Sequence, residues 1–194
     1  MKKVFVTIFL ISIQITASGQ SKLWKDLDND GIKDHVEIEN SAIVCRLSTQ
    51  NFTRIVSKAI EHLNEQSGVN ETKNGFEFFN NWMRSGFKSQ FRYNPKTKKI
   101  ELIGMSRYEF GNAANDGSGK SSINLLTGDY IGNWNYSDWE SDNKLIKIPT
   151  IKTKMYFKTI NLEKFGEDVY FDYTEKCAEL YQKHKNLEIK KRNQ

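Results

Sequence analysis

The sequence predicts a mainly β fold, an antiparallel sheet or sandwich with one C-terminal α-helix. Aromatic residues make up 12% of the 194 residues, and aromatic side chains favour strands. Apolar residues alternate with polar ones in several stretches; Val36 and Ile38, for example, alternate with charged neighbours. The period changes at the end of the chain, where side chains recur at the helical spacing i, i+3, i+4 and i+7. These residues are Cys177, Leu180, Tyr181 and His184.

The strand pattern begins with two segments, 35–39 and 42–47, that the turn Asn40-Ser41 separates. Further strands are predicted over 52–56, 76–82, 87–93, 100–110, 122–126, 130–136, 145–148 and 154–157. Residues 58–74 fit either a short helix or an irregular segment. The C-terminal helix is predicted to begin at Thr174, because threonine is a favourable N-cap.

The first 19 residues have the pattern of a secretory signal peptide. Lys2 and Lys3 precede an apolar run from Val4 to Ile15, and the small residues of 17–19 predict cleavage before Gln20. The run is too short for a comfortable membrane span. The sequence therefore predicts a periplasmic or extracellular protein with a single domain over 20–194 and no membrane span after cleavage.

The charge pattern does not predict a nucleic-acid partner. The formal net charge is +5 and falls to +3 without Lys2 and Lys3. The basic surplus lies in the C-terminal tail, where aromatic residues do not interleave with it as in a nucleic-acid-binding face. Residues 114–121 resemble a relaxed P-loop, but a strand pattern follows them where a P-loop needs a helix, so nucleotide binding is not predicted either.

The most specific chemical pattern in the chain is an acidic loop over residues 26–34. Its acids stand at loop positions 1, 3, 5 and 9, a glycine stands at position 6, and this spacing wraps oxygen ligands around Ca²⁺. The predicted ligands are the side chains of Asp26, Asp28, Asp30 and Asp34 and the backbone carbonyl of Ile32.

The loop resembles the calcium loops of FG-GAP and VCBS-type secreted repeats, in which an acidic loop of this spacing leads directly into a β-strand. The resemblance covers residues 26–38 and occurs once, so it does not imply a propeller array. It implies a structural Ca²⁺ site. A helical EF-hand is not expected, because Lys33 stands at the usually apolar position 8 and a strand follows.

Two further features concern cross-linking and ligand binding. In an oxidising compartment the cysteine pair Cys45 and Cys177 predicts a disulfide, with two separately buried thiols as the alternative.

An aromatic platform for a glycan is predicted from three residues, namely Trp134, Tyr136 and Trp139. The alternative is that they belong to a buried strand face.

No catalytic arrangement stands out in the sequence. The whole chain resembles secreted proteins of Gram-negative bacteria, a likeness that implies no activity. The leading hypothesis is a non-enzymatic secreted or periplasmic binding protein with a structural Ca²⁺ site and an unknown protein or glycan partner. The alternatives are a hydrolase of cell-envelope polysaccharide, which needs two acids across a cleft, and an inhibitor or immunity-type protein.

Overall fold

The structure, a computed structural model, describes residues 22–138 and 144–193. It confirms a mainly β fold with two antiparallel sheets and one C-terminal α-helix. The predicted signal peptide lies outside the described residues. The smaller sheet has four strands in chain order, namely β1 (Lys22–Lys25), β2 (Asp34–Glu39), β3 (Ala42–Arg46) and β4 (Arg54–Val56).

The larger sheet has eight strands. These are β5 (Ser67–Thr72), β6 (Gly75–Asn81), β7 (Ser85–Asn94), β8 (Lys99–Glu109), β9 (Gly119–Asn124), β10 (Asp129–Asp138), β11 (Lys144–Lys147) and β12 (Ile151–Lys154). Strands β5 to β10 follow one another as a meander, and β11 and β12 both pair with β10. Strand β5 occupies the segment whose sequence left helix and irregular structure open, and it contacts β1 and β2 of the smaller sheet.

One face of the larger sheet is apolar and faces α1 (Glu167–Arg192), because alternate residues of an antiparallel strand point to the same side. Phe91 is fully buried on this face, stacks on Phe76 at 5.0 Å and meets Phe165 edge-on at 5.0 Å. Tyr170 of α1 stacks on Phe87 at 4.0 Å. The hydrophobic core is therefore continuous from the smaller sheet through the meander to the helix.

The helix begins earlier than predicted. Gly166 is its N-cap, and Thr174, the predicted cap, lies inside the helix, where its hydroxyl donates to the carbonyl of Tyr170. The extra turns carry Val169, Tyr170 and Tyr173, which are buried against the sheet. Among the described residues, no helix has the length and apolarity needed to cross a membrane.

An ion pair fixes the C-terminal half of α1 to the loop between β8 and β9. Lys185 Nζ lies 2.8 and 3.0 Å from the two carboxylate oxygens of Asp116, and the backbone N–H of Ser137 donates to the same carboxylate. Partial burial raises the pKa of Asp116, but the hydrogen bonds from Lys185 and Ser137 outweigh burial, so the pKa lies below its ordinary value of 3.8.

This lowered pKa makes the ion pair sensitive to acid. A carboxyl whose pKa falls on folding contributes stability above the pKa of the unfolded chain and loses it as the pH falls through the folded value. We therefore expect Asp116→Asn to destabilise the protein by about 1–2 kcal/mol at pH 7 and by less below pH 4. Melting temperatures of parent and variant from pH 7 to pH 3 measure this; a constant difference would contradict it.

The predicted disulfide is not present, because Cys45 and Cys177 are both free and buried. Cys45 lies on β3 in the smaller sheet, whereas Cys177 lies on α1 against Ser121 of β9, with Sγ 3.4 Å from the serine hydroxyl. Burial raises the pKa of both thiols. Because the thiolate is the reactive form, both side chains are inert apolar core groups.

Candidate metal centre

The acidic loop connects β1 to β2, and the hairpin of β2 and β3 determines its surroundings. His35 pairs with Arg46 across this hairpin, so Asp34 lies beside the chain that leaves β3. That chain enters a single 3₁₀ turn, Ser48–Gln50, which faces the loop. The site is therefore formed by two segments, the acidic loop and the 3₁₀ turn that follows β3.

Three of the predicted ligands converge. Carboxylate oxygens of Asp26, Asp28 and Asp34 lie within 4.8 Å of one another. Ca²⁺–oxygen bonds are about 2.3–2.6 Å long, so two ligands of one ion are at most about 5 Å apart. One ion could therefore contact all three carboxylates, and these hard oxygen ligands suit Ca²⁺.

Hydrogen bonds within the loop hold two of these carboxylates in place. Asp26 accepts from the N–H groups of Asn29 and Gly31, at 2.7 and 3.0 Å, which closes the loop around its first residue. Gly31 has a φ of +88°, a conformation that glycine adopts without strain. Asp34 is fully buried and accepts from the N–H of Leu27 at 2.6 Å.

Asp28 is the predicted ligand that has an unused hydrogen-bond acceptor. Its Oδ2 accepts a short hydrogen bond from the hydroxyl of Thr49, whereas its Oδ1 is buried without a hydrogen-bond partner among the described residues. Burial raises the pKa of Asp28 above its ordinary value, and the negative charges of Asp34 and Asp30 raise it further, against the lowering effect of Thr49. A cation beside Oδ1 would satisfy this oxygen and offset the repulsion.

The other two predicted ligands stand apart from this group. The carboxylate of Asp30 is exposed and accepts from the hydroxyl of Ser48 at 2.7 Å and from the N–H of Ile32 at 2.8 Å. These hydrogen bonds lower the pKa of Asp30. The Ile32 side chain is exposed, and its predicted contribution is only the backbone carbonyl.

The sequence interpretation missed Ser48 and Thr49. Ser48 donates its N–H to Asp34 at 2.8 Å and its hydroxyl to Asp34 and Asp30. Thr49 donates to Asp28. A usable signal was present, because a hairpin of 35–39 with 42–46 returns the residues after position 46 to the acidic loop.

The remaining sequence candidates do not form a site. Trp134 and Tyr136 are each 2% exposed, so they belong to the buried face of β10 and do not form the predicted glycan platform. Trp139, its third member, lies outside the described residues. The P-loop-like segment leads into β9 rather than into a helix, so its architecture is not that of a P-loop.

Comparison with protein-family models, with curated proteins and with solved structures finds no match to the chain. The fold and the acidic loop are therefore interpreted from their own geometry. Within residues 22–138 and 144–193, that geometry shows one cluster of three aspartates that could hold a metal ion.

Proposed function

We propose that this chain is a secreted or periplasmic binding protein without catalytic activity, and that its acidic loop holds a structural Ca²⁺ ion. The observation that carries the metal proposal is the approach of Asp26, Asp28 and Asp34 to within 4.8 Å of one another, with Oδ1 of Asp28 buried and without a hydrogen-bond partner in the described chain. In this proposal the Ile32 carbonyl and Asp30 remain additional ligands, the latter after exchanging its hydrogen bond with Ser48.

We infer a structural rather than a regulatory calcium site from the resemblance to FG-GAP and VCBS-type calcium loops. The acidic loop passes directly into β2, as in those repeats, and is not flanked by the two helices that a calcium-sensing hand moves. Calcium bound here would neutralise mutually repelling carboxylates and fasten the β1–β2 connection to the 3₁₀ turn after β3. A structural ion therefore fits this position better than a regulatory one.

The support for the location lies in the sequence. Residues 1–19 have the features of a signal peptide, and extracellular calcium modules function with dissociation constants of about 10⁻⁴–10⁻³ M. The buried free thiols agree with such a compartment, because neither thiol has access to an oxidant or a partner cysteine.

The cavities favour binding over polysaccharide hydrolysis. Glycoside hydrolysis generally uses two carboxyl groups that face each other across the scissile bond. Each of five surface cavities in the described part of the chain is lined by at most one carboxylate. No observation favours the hydrolase or the inhibitor hypothesis, and we propose neither.

The metal proposal is tested by thermal unfolding of the purified protein. A ligand at about 100 times its dissociation constant stabilises the folded state by about 2.7 kcal/mol, so saturating Ca²⁺ should raise the melting temperature by about 5–10 °C. Asp28→Asn should abolish this shift, because the amide can still accept from Thr49 but has no charge for the ion. Calorimetric titration should show binding to the parent only.

Glu61→Gln is the matched control, since it removes one negative charge from an exposed turn far along the chain from the loop. The control should respond to Ca²⁺ as the parent does. An unchanged melting temperature across millimolar Ca²⁺, or an equal shift in Asp28→Asn, would refute the calcium site.

A further inference from the structure

The outer face of the larger sheet is the side turned away from α1. It carries a row of residues that lie outside the proposed calcium site. Lys88, Ser106, Ser122 and Ile131 lie directly opposite one another across β7, β8, β9 and β10. The neighbours on both sides of each of these residues in its strand are buried, so this row points to the opposite, solvent-exposed side. A solvent-exposed face is ordinary for an antiparallel sheet. This face differs in its concave centre and in the basic and apolar side chains that surround it.

The centre of the outer face is concave. A cavity of about 290 Å³ lies over Ser106 and Ser122, and longer side chains rise around these two small residues. We call this cavity the cup; the residues that line it include Lys88, Tyr108, Lys120, Ile131 and Asn133. Ligand pockets have volumes of about 300–1,000 Å³. The cup lies at the small end of this scale, which suits a small ligand or one unit of a longer one.

The polar groups of the cup are mainly hydrogen-bond donors. Lys120 is exposed and makes no ion pair with any described residue, and Lys88 is the partner of Glu77 at 2.8 Å. Asn133 accepts from the Thr150 hydroxyl through Oδ1, which leaves its amide N–H groups as donors. No carboxylate lines the cup. The polar groups of the cup therefore complement a negatively charged group that accepts hydrogen bonds.

Two walls of the cup are apolar. The ring of Tyr108 lies across Gly86, where an added Cβ would come within 2.7 Å of the tyrosine Cε1, and its hydroxyl donates to Asn81 at 3.2 Å. Ile131 is 42% exposed although it lies within β10, a strand that is paired on both sides. A fixed aromatic ring and an aliphatic side chain beside basic groups suit a ligand with both an apolar face and a negative charge.

An acidic sugar has this combination, since the C–H groups of its ring are apolar and its carboxylate is an acceptor. An extended acidic peptide is the less suitable occupant, because peptides bind sheets by pairing with an open edge strand. The cup lies over central strands whose backbone groups are already paired on both sides. We infer that the cup binds a uronic-acid unit of an anionic oligosaccharide, with its carboxylate at Lys120 and its ring against Tyr108.

This inference names a ligand for the binding role proposed above and rests on that role, but it does not depend on the calcium site. The test is an NMR titration of the ¹⁵N-labelled protein with a galacturonic acid trimer. Calcium-free buffer prevents the ion from bridging protein and sugar. We expect saturable shifts of the amides of Ser106, Lys120 and Ser122, and weaker binding at higher salt.

The variant Lys120→Gln should weaken binding about tenfold, as expected for the loss of one charge-assisted hydrogen bond. Lys96→Gln, which removes a charge from the exposed turn between β7 and β8, is the matched control and should bind as the parent does. Asp28→Asn should also bind the trimer normally, which separates a failed calcium site from a failed cup.

Three results would overturn the inference. The first is the absence of shifts at millimolar trimer, or shifts that lie away from the cup. The second is equal binding of a neutral galactose trimer, which would show that the negative charge of the sugar does not contribute to binding. The third is equal binding of a glutamate oligomer, which would show a general affinity for polyanions rather than recognition of a sugar.

Discussion

Replacing Phe91 with alanine is expected to lower the free energy of unfolding by about 3–5 kcal/mol, the usual cost of removing a large aromatic side chain from a core. Phe91 is fully buried and contacts Phe76 of the neighbouring strand and Phe165 of the segment that leads into α1. Its loss leaves a cavity between the sheet and the segment that leads into α1. The close-packed neighbouring side chains do not move far enough to fill this cavity. Urea unfolding of parent and variant measures the change.

Phe110→Ala is the matched control, because Phe110 is 50% exposed at the end of the β8 region. We expect the control to lose less than about 1 kcal/mol. Similar losses in the two variants would show that Phe91 does not anchor the core as its contacts indicate.

Replacing Asp34 with alanine is expected to cost about 3 kcal/mol in the absence of calcium and to abolish stabilisation by calcium. The carboxylate of Asp34 is the acceptor for the N–H groups of Leu27 and Ser48. With alanine at position 34, these buried donors have no hydrogen-bond partner. Each unsatisfied buried polar group lowers the free energy of unfolding by about 1–3 kcal/mol. Chemical denaturation with and without Ca²⁺ separates the two effects.

Asp129→Ala serves as the control for the loss of an aspartate. Asp129 is exposed and pairs with Lys154 at 2.7 Å, and such surface pairs contribute about 0–1 kcal/mol. The control should retain the calcium response. A calcium response that survives in Asp34→Ala would remove Asp34 from the ligand set, whereas a small loss without calcium would contradict its structural role.

Most strands were predictable because one face of each meets the core, whereas β1 and β5 were not predicted. On β10 the residues Tyr130, Trp134 and Tyr136 share a face in the sequence pattern, and all three are buried in the structure. The start of α1 was not predictable in the same way. Aromatic and β-branched residues such as Val169 and Tyr173 favour strands by propensity, and burial against the sheet overrides this preference.

The metal centre was predictable in part. The spacing of the acids brings Asp26, Asp28 and Asp34 together, because a short loop with a glycine at the turn curls back on itself. The contribution of Ser48 depends on the pairing of β2 with β3, which joins segments that are distant in sequence. The error over the disulfide has the same origin, since a cysteine count does not reveal that Cys45 and Cys177 occupy separate parts of the core.

The strand order of the larger sheet has a consequence for how the chain folds. Strands β5 to β10 pair with their sequence neighbours, so the meander can assemble progressively through contacts that close short loops. Its apolar face, however, is covered by α1, the last element of the described chain. Until that helix docks, the growing sheet exposes a broad aromatic surface of the kind that aggregates. Docking of α1 therefore removes this surface from solvent and completes the core.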